Sequence, residues 1–188
     1  MIEAPATSHL TLQNETDFLV MFIVRKGDMT IARTPAFPRG AILQVPTRQT
    51  YTVVAATVIE GNTYTSAPIS VSGAAGFLAR ILQHGAQGTY AFDMQELPPR
   101  GADQMEFQTT TASPVTFTIS NNGAHLQSVI VKDAFKAFML SLADTYALYG
   151  VINGVTTGAI QTANPDATIT VRVGPGGAET GDFELVVA

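Results

Sequence analysis

Apolar and polar residues alternate along much of this chain with a period of two, the signature of strands with one buried face. Val115, Phe117 and Ile119 alternate with Thr116 and Thr118, and the run closes on the polar turn Ser120-Asn121-Asn122-Gly123. Phe18 to Val24 is apolar on both faces, which suits a central strand or one with a face against a partner. Tyr51 to Ile59, rich in Val, Thr and Ala, runs into Glu60-Gly61-Asn62, and Tyr146 to Ile152 runs into Asn153-Gly154. Asn-Gly is a strong hairpin signal because both residues tolerate the positive φ of a type I′ turn. Thr63 to Val71 and Val155 to Thr162 are the expected return strands.

Two segments do not declare themselves by periodicity. Asp133 to Tyr149 has helical composition and roughly helical apolar spacing. The segment that aligns with it, Thr34 to Pro46, holds three prolines and a glycine. Proline costs a helix interior about 3 kcal/mol, so a shared fold makes both stretches strand-turn-strand. Gly76 to His84 has no such arbiter and reads equally as a short helix or a strand.

That alignment is part of an internal repeat. Setting Leu12-Gln13 over Phe107-Gln108, an offset of 95, places Val20, Phe22 and Val24 on Val115, Phe117 and Ile119. The same offset sets Thr50-Tyr51 on Thr145-Tyr146. Small gaps bring Ala36-Phe37 onto Ala134-Phe135 and Ile69-Ser70-Val71 onto Ile169-Thr170-Val171, and Gly88 to Met94 falls on Gly181 to Val187. The common order of these matches predicts two units, 8–94 and 105–188, joined by the proline-containing linker 95–104, Gln95 to Gln104. Pro98-Pro99 with Gly101 cannot continue a strand and reads as a semi-rigid connector.

Each unit then carries six to eight short strands, the spacing of an antiparallel β-sandwich. Tyr51 to Ala56 followed by Gly61 to Val71 resembles the last two strands of a fibronectin type III domain. That resemblance covers about 21 residues, and the chain has no tryptophan to serve as a core Trp. It implies an immunoglobulin-like sandwich. The expected fold class is all-β, two tandem units of that kind related by duplication.

Composition narrows the partners. Hydrophobic residues make up 46% and charged residues 13%, so the surface is covered by Thr, Ser, Gln, Asn and Gly. Residues 1–100 balance seven basic against seven acidic groups, while 101–188 hold Lys132, Lys136 and Arg172 against eight acids. A basic groove for nucleic acid is not expected. The asymmetry fits either two differently solvated surfaces or a head-to-tail contact between unlike halves. There are no cysteines, which excludes disulfides, thiol nucleophiles and Cys-ligated metals. Met1 to Thr7 lacks the basic start and apolar stretch of a signal peptide. The longest apolar run, Phe18 to Val24, falls short of the roughly 20 residues of a membrane helix. The sequence therefore reads as soluble, with an extracellular or particle-associated setting suggested by its low charge.

No catalytic constellation emerges. His9, His84 and His125 are scattered and sit in no G-x-S-x-G, H-x-H or H-E-x-x-H context. The acids fall mostly in turns and termini, among them Glu15, Asp17, Asp28, Glu60, Asp103, Glu106, Asp166, Glu179 and Asp182. Gly174 to Asp182 is glycine-rich but lacks the Lys-Ser/Thr of a phosphate loop. A calcium site on Glu179 and Asp182 lacks EF-hand spacing, and a long hairpin loop is the simpler reading. Lys26-Gly27-Asp28 resembles short adhesion motifs, but its aligned position is Asn-Gly-Ala.

The expectation is a protein with no catalytic, cofactor or metal residues, a structural or self-assembling sandwich that forms homo-oligomers or binds another protein. Phe18, Val20, Phe22, Phe77, Leu78 and Ile81 are the expected contact residues. The alternatives are a membrane-active protein using Phe18–Val24 or Gly76–His84, with Phe77, Leu78, Ile81 and Leu82 as an apolar face, and a receptor- or glycan-binding adhesin module using its loops.

Overall fold

The computed structural model describes residues 7–84 and 89–188. Met1 to Ala6, and Gly88 of the repeat match, lie outside the described residues. The chain is all-β: among the described residues it forms strands and one 3-10 turn, Ala178–Thr180. The strands are β1 (His9–Asn14), β2 (Val20–Lys26), β3 (Met29–Arg33), β4 (Ile42–Pro46), β5 (Tyr51–Ile59) and β6 (Asn62–Thr65). They continue with β7 (Ile69–Val71), β8 (Ala75–His84), β9 (Thr89–Leu97), β10 (Gln104–Thr109), β11 (Val115–Asn121) and β12 (Ala124–Val131). The last are β13 (Phe138–Ser141), β14 (Tyr146–Ile152), β15 (Val155–Thr156), β16 (Ile160–Thr162), β17 (Thr168–Val173) and β18 (Phe183–Val187).

The chain divides into two compact units, but not at the linker. The first unit joins Met1–Arg48 to Asp144–Ala188, and the second is Gln49–Ala143. These boundaries differ from 8–94 and 105–188. The reason is strand pairing: β1 and β2 pair with β17 and β14, and β8 and β5 pair with β10 and β11, across the 95–104 segment. In the first unit the sheets run β18-β17-β1-β4 and β15-β14-β2-β3, with β16 also on β14. In the second they run β9-β8-β10-β13 and β6-β5-β11-β12, with β7 also on β5. Replacing β1–β4 by β10–β13, and β14–β18 by β5–β9, turns the first pair of orders into the second. Each unit thus takes four strands from the front of one sequence segment and five from the back of the other. The two crossings, after Arg48 and after Ala143, are themselves 95 positions apart.

Local details recur in both units, at the same spacing or within four positions of it. Thr16 donates from both N and Oγ1 to the buried Oδ1 of Asn14, at 2.9 and 2.8 Å. At the aligned positions Thr111 N donates to Thr109 Oγ1 at 3.0 Å, and the two hydroxyls lie 2.9 Å apart. Ser66 Oγ accepts from Ala55 N at 3.0 Å, and Thr157 Oγ1 accepts from Gly150 N at 2.9 Å. Each hydroxyl thereby satisfies a buried amide where a partner strand breaks off.

Turn chemistry places the hairpins where the sequence signalled them. Asn153-Gly154 adopts φ of 49° and 80°, and Glu60-Gly61 and Asn122-Gly123 do the same within a few degrees. The segment 133–149 is a loop followed by β13 and the start of β14, with no helix. Gly76 to His84 is a strand: its backbone pairs antiparallel with β9 throughout, and its first part, to Ala79, also pairs parallel with β10. Gln95 to Leu97 extend β9, so the connector shrinks to 98–103 and joins two strands of one sheet.

The buried face of each sheet carries its large side chains. In the first unit Leu10, Leu12, Val20, Phe22, Val24, Leu148 and Ile169 are fully buried. In the second, the rings of Phe107 on β10 and Phe117 on β11 meet at 5.2 Å, bringing its two sheets into contact. Phe77 stacks on Phe107 at 5.3 Å. Each such side chain contributes about 1.5–3 kcal/mol by leaving water.

An apolar corner on the second unit

Strands β12 and β13 follow one another in the chain and are both edge strands, each at the end of its sheet. Between them the chain turns on Asp133. Its Oδ1 accepts Phe135 N at 2.9 Å, its carbonyl accepts Lys136 N at 3.2 Å, and its Oδ2 lies 3.6 Å from Lys136 Nζ. The turn is therefore built by its own residues and holds Phe135 at its apex. Phe135 is 97% exposed, and on the flanking strands Ile130, Phe138 and Met139 are 53%, 43% and 56% exposed. The hollow under the turn measures 360 Å³ and is lined by Ile130, Val131, Ala137 and Phe138 with Lys132, Asp133 and Lys136. Two of the chain's three lysines lie in it.

The aligned residue of the first unit behaves in the opposite way. Phe37 is 4% exposed, stacks on Phe22 at 5.9 Å, and pairs by a backbone bridge with Val20. The difference follows from the core beneath. Where the first unit has Leu12 opposite Ile169, the second has Phe107 opposite Phe77. Phe107, backed by Phe77, packs against Phe117 as Phe37 packs against Phe22. The sequence signal for this corner was present as Lys132-Asp133-Ala134-Phe135-Lys136, a turn with an unshielded aromatic between two lysines. The helix-like apolar spacing of the longer stretch obscured it.

The structure puts the sequence-expected contact residues elsewhere. Val20, Phe22 and Phe77 are 0% exposed and belong to the cores, so a partner could reach them only by unfolding the sheets. Phe18 is half-buried and meets Phe183 edge-on at 5.8 Å. Leu78 and Ile81 are half-buried in β8. Phe18, Val20 and Phe22 lie in the first unit, and Phe77, Leu78 and Ile81 in the second.

The groups considered for chemistry are used singly. His125 shares a 2.9 Å hydrogen bond with Ser128 Oγ on exposed β12, and no carboxylate is among its described partners. His9 lies in β1, and His84 ends β8. Glu106 is not a turn residue; it is 1% exposed within β10, accepting Gln108 Nε2 at 2.8 Å and lying 3.3 Å from Arg100 Nε. Asp182 folds the glycine-rich hairpin loop by accepting Gly176 N at 2.7 Å. Lys26, in the adhesion-like turn, pairs with Asp144 at 2.8 Å and lies 6.0 Å from the Tyr146 ring centre. The 150 Å³ hollow beside it adds Arg48, Thr47 and Ser8 to this pair. Among the described residues no group of three His, Cys, Asp or Glu converges on a metal-sized site, and no buried side-chain polar atom lacks a partner. No described helix is long and apolar enough to cross a membrane.

No family model, curated protein or solved structure matches this chain.

Proposed function

We propose that this chain is a non-catalytic, self-associating β protein, built by duplication of one immunoglobulin-like sandwich, whose copies meet through the β12–β13 corner. The observation that carries the reading is Phe135. The Asp133 turn holds this side chain in water, between residues that line a hollow shared with the part-exposed Ile130 and Phe138, and exposed apolar surface of this kind marks a contact site. Both flanking strands end their sheets, leaving backbone groups for another chain to pair. Lysine or proline normally blunts such edges, and neither residue occurs within β12 or β13.

Duplication is supported by the matched sheet orders, the paired hydroxyl brackets and the common offset of the crossings. A sandwich in the second unit is supported by the Phe107–Phe117 contact between its two sheets, and the first unit has the corresponding sheet orders. The non-catalytic reading is supported by the uses already found for the titratable groups: Glu106 binds Gln108 and Arg100, Asp182 closes a loop, and His125 has a serine but no acid.

Hydrogen exchange at rising protein concentration tests the contact. Amides of β12, β13 and residues 132–137 gain protection with concentration if copies meet there. Unchanged exchange at these amides, with or without protection elsewhere, overturns the assignment of the corner.

Lys132 and Lys136 favour a second reading, in which the corner settles on an anionic bilayer with Phe135 in the interface. Co-sedimentation with vesicles containing an anionic lipid, lost in Phe135→Ser and with neutral vesicles, would support it. No binding to either vesicle removes it.

A further inference from the structure

The first unit is assembled from two segments that the whole second unit separates in the chain. Segment 144–188 holds to segment 1–48 through two ladders. β14 pairs with β2 from Tyr146↔Lys26 to Ile152↔Val20, and β17 pairs with β1 from Thr11↔Thr168 to Asn14↔Val171. Its remaining strands pair only within the segment, β15 and β16 on β14 and β18 on β17. No strand of the second unit enters these sheets.

We infer that segment 144–188 is exchangeable between copies: it leaves its own β1–β4 and completes the first unit of a second molecule. This deepens the self-association reading and rests on it for its biological sense, while its own test is separate. The partner is fixed as a second copy of this chain, because the surface uncovered on β1 and β2 already has one known complement, residue for residue. The exchanged form reproduces the β14–β2 and β17–β1 ladders and the side chains buried beneath them. Only the connection 142–145, between β13 and β14, must take a new path.

Charge favours unlike segments. Segment 1–48 carries Arg25, Lys26, Arg33, Arg39 and Arg48 against four acids, while 144–188 carries five acids against Arg172 alone. The Lys26–Asp144 pair sits at the connection itself. The same charge pattern opposes association between identical segments. Exchange of a segment is a low-cost route to dimers when closed and open forms share their contacts. What opposes it is the effective concentration of the tethered segment, in the millimolar range for flexible links. Exchange therefore grows with concentration during folding. Afterwards it is trapped, since release must strip two ladders and the buried Phe22, Leu148 and Ile169.

The chain has no cysteine of its own, so an introduced pair reports one contact. Met21 and Val151 are facing, half-buried partners on β2 and β14. The variant Met21→Cys with Val151→Cys, carrying Phe135→Ser to suppress the corner contact, is refolded at low micromolar and at near-millimolar concentration. It is then oxidised and run on non-reducing denaturing gels. Exchange gives a covalent dimer of twice the chain mass, scarce after dilute refolding and at least several-fold more abundant after concentrated refolding. A covalent monomer at every concentration overturns the inference. A second pair, Arg25→Cys with Ala147→Cys, also facing on β2 and β14, guards against distortion by the first. Failure of the corner reading shows instead as unchanged hydrogen exchange of β12, β13 and residues 132–137 at rising concentration, whether or not segments exchange, so the two failures are distinct.

Discussion

Phe22, fully buried on β2, lies opposite Gly150 on β14, although the whole second unit intervenes between them in the chain. The pairing makes the first unit a joint product of both sequence segments. In the second unit β5 and β11 do the same, with Ala55 opposite Phe117. Neither segment 8–94 nor 105–188 then contains a complete core.

Cutting the connector tests that relationship. A protease site placed within 98–103 should be cleavable without separating the pieces, because β9 and β10 stay in one sheet with β8 between them. Nicked protein should elute at the mass of the intact chain and split only in denaturant, together with loss of the β-strand circular dichroism. Pieces that part under native conditions, each with its strand signal intact, would show that the segments fold separately.

Glu60 holds φ of 51° in a two-residue hairpin loop whose counterpart residue is Asn153. A non-glycine residue in the left-handed region costs about 1–2 kcal/mol, and asparagine pays less of that cost. Glu60→Asn should raise the free energy of unfolding by about 1 kcal/mol, read from the urea midpoint at constant slope. A lower midpoint would mean that the Glu60 side chain does something the turn geometry does not reveal.

Phe37 and Phe135 occupy aligned positions with opposite fates, and alanine at each should separate them. Phe37→Ala removes a buried ring stacked on Phe22 and should cost about 3–5 kcal/mol. Phe135→Ala removes an exposed one and should stay within about 0.5 kcal/mol of the native chain. Comparable losses at both sites, in dilute urea titrations, would contradict the account of Phe107 filling the place that Phe37 holds.

Much of this fold is legible in the sequence. Period-two alternation located β11, β5 and β14, the two-sided apolar run placed β2 at the centre of its sheet, and Asn153-Gly154 marked a hairpin. Pairing across the repeat boundary was not legible. Alternation reports that a strand has a buried face but carries no address for its neighbour. Phe22 would satisfy its periodicity equally against Ala55 of its own segment or Gly150 of the other. The β8 segment was ambiguous because it is apolar on both sides, a state that a doubly paired strand and a buried helix share. Hydrophobicity likewise pointed to Phe22 and Phe77, which are drawn into the cores, whereas Phe135 stays exposed and it is Phe107 that packs on Phe117. That depends on a residue distant in sequence.

The most direct test of the central claim is absolute mass by light scattering after size exclusion, over a concentration series at two salt levels, for the native chain and for Phe135→Ser with Phe138→Ser. The account predicts a native mass above 19.9 kDa that rises with concentration, and a return to 19.9 kDa in the double variant. Apolar contact should make the native mass insensitive to salt or higher in it. A native mass of 19.9 kDa at every concentration and both salt levels would contradict self-association. An oligomer that the two serines leave intact would contradict the corner as its site.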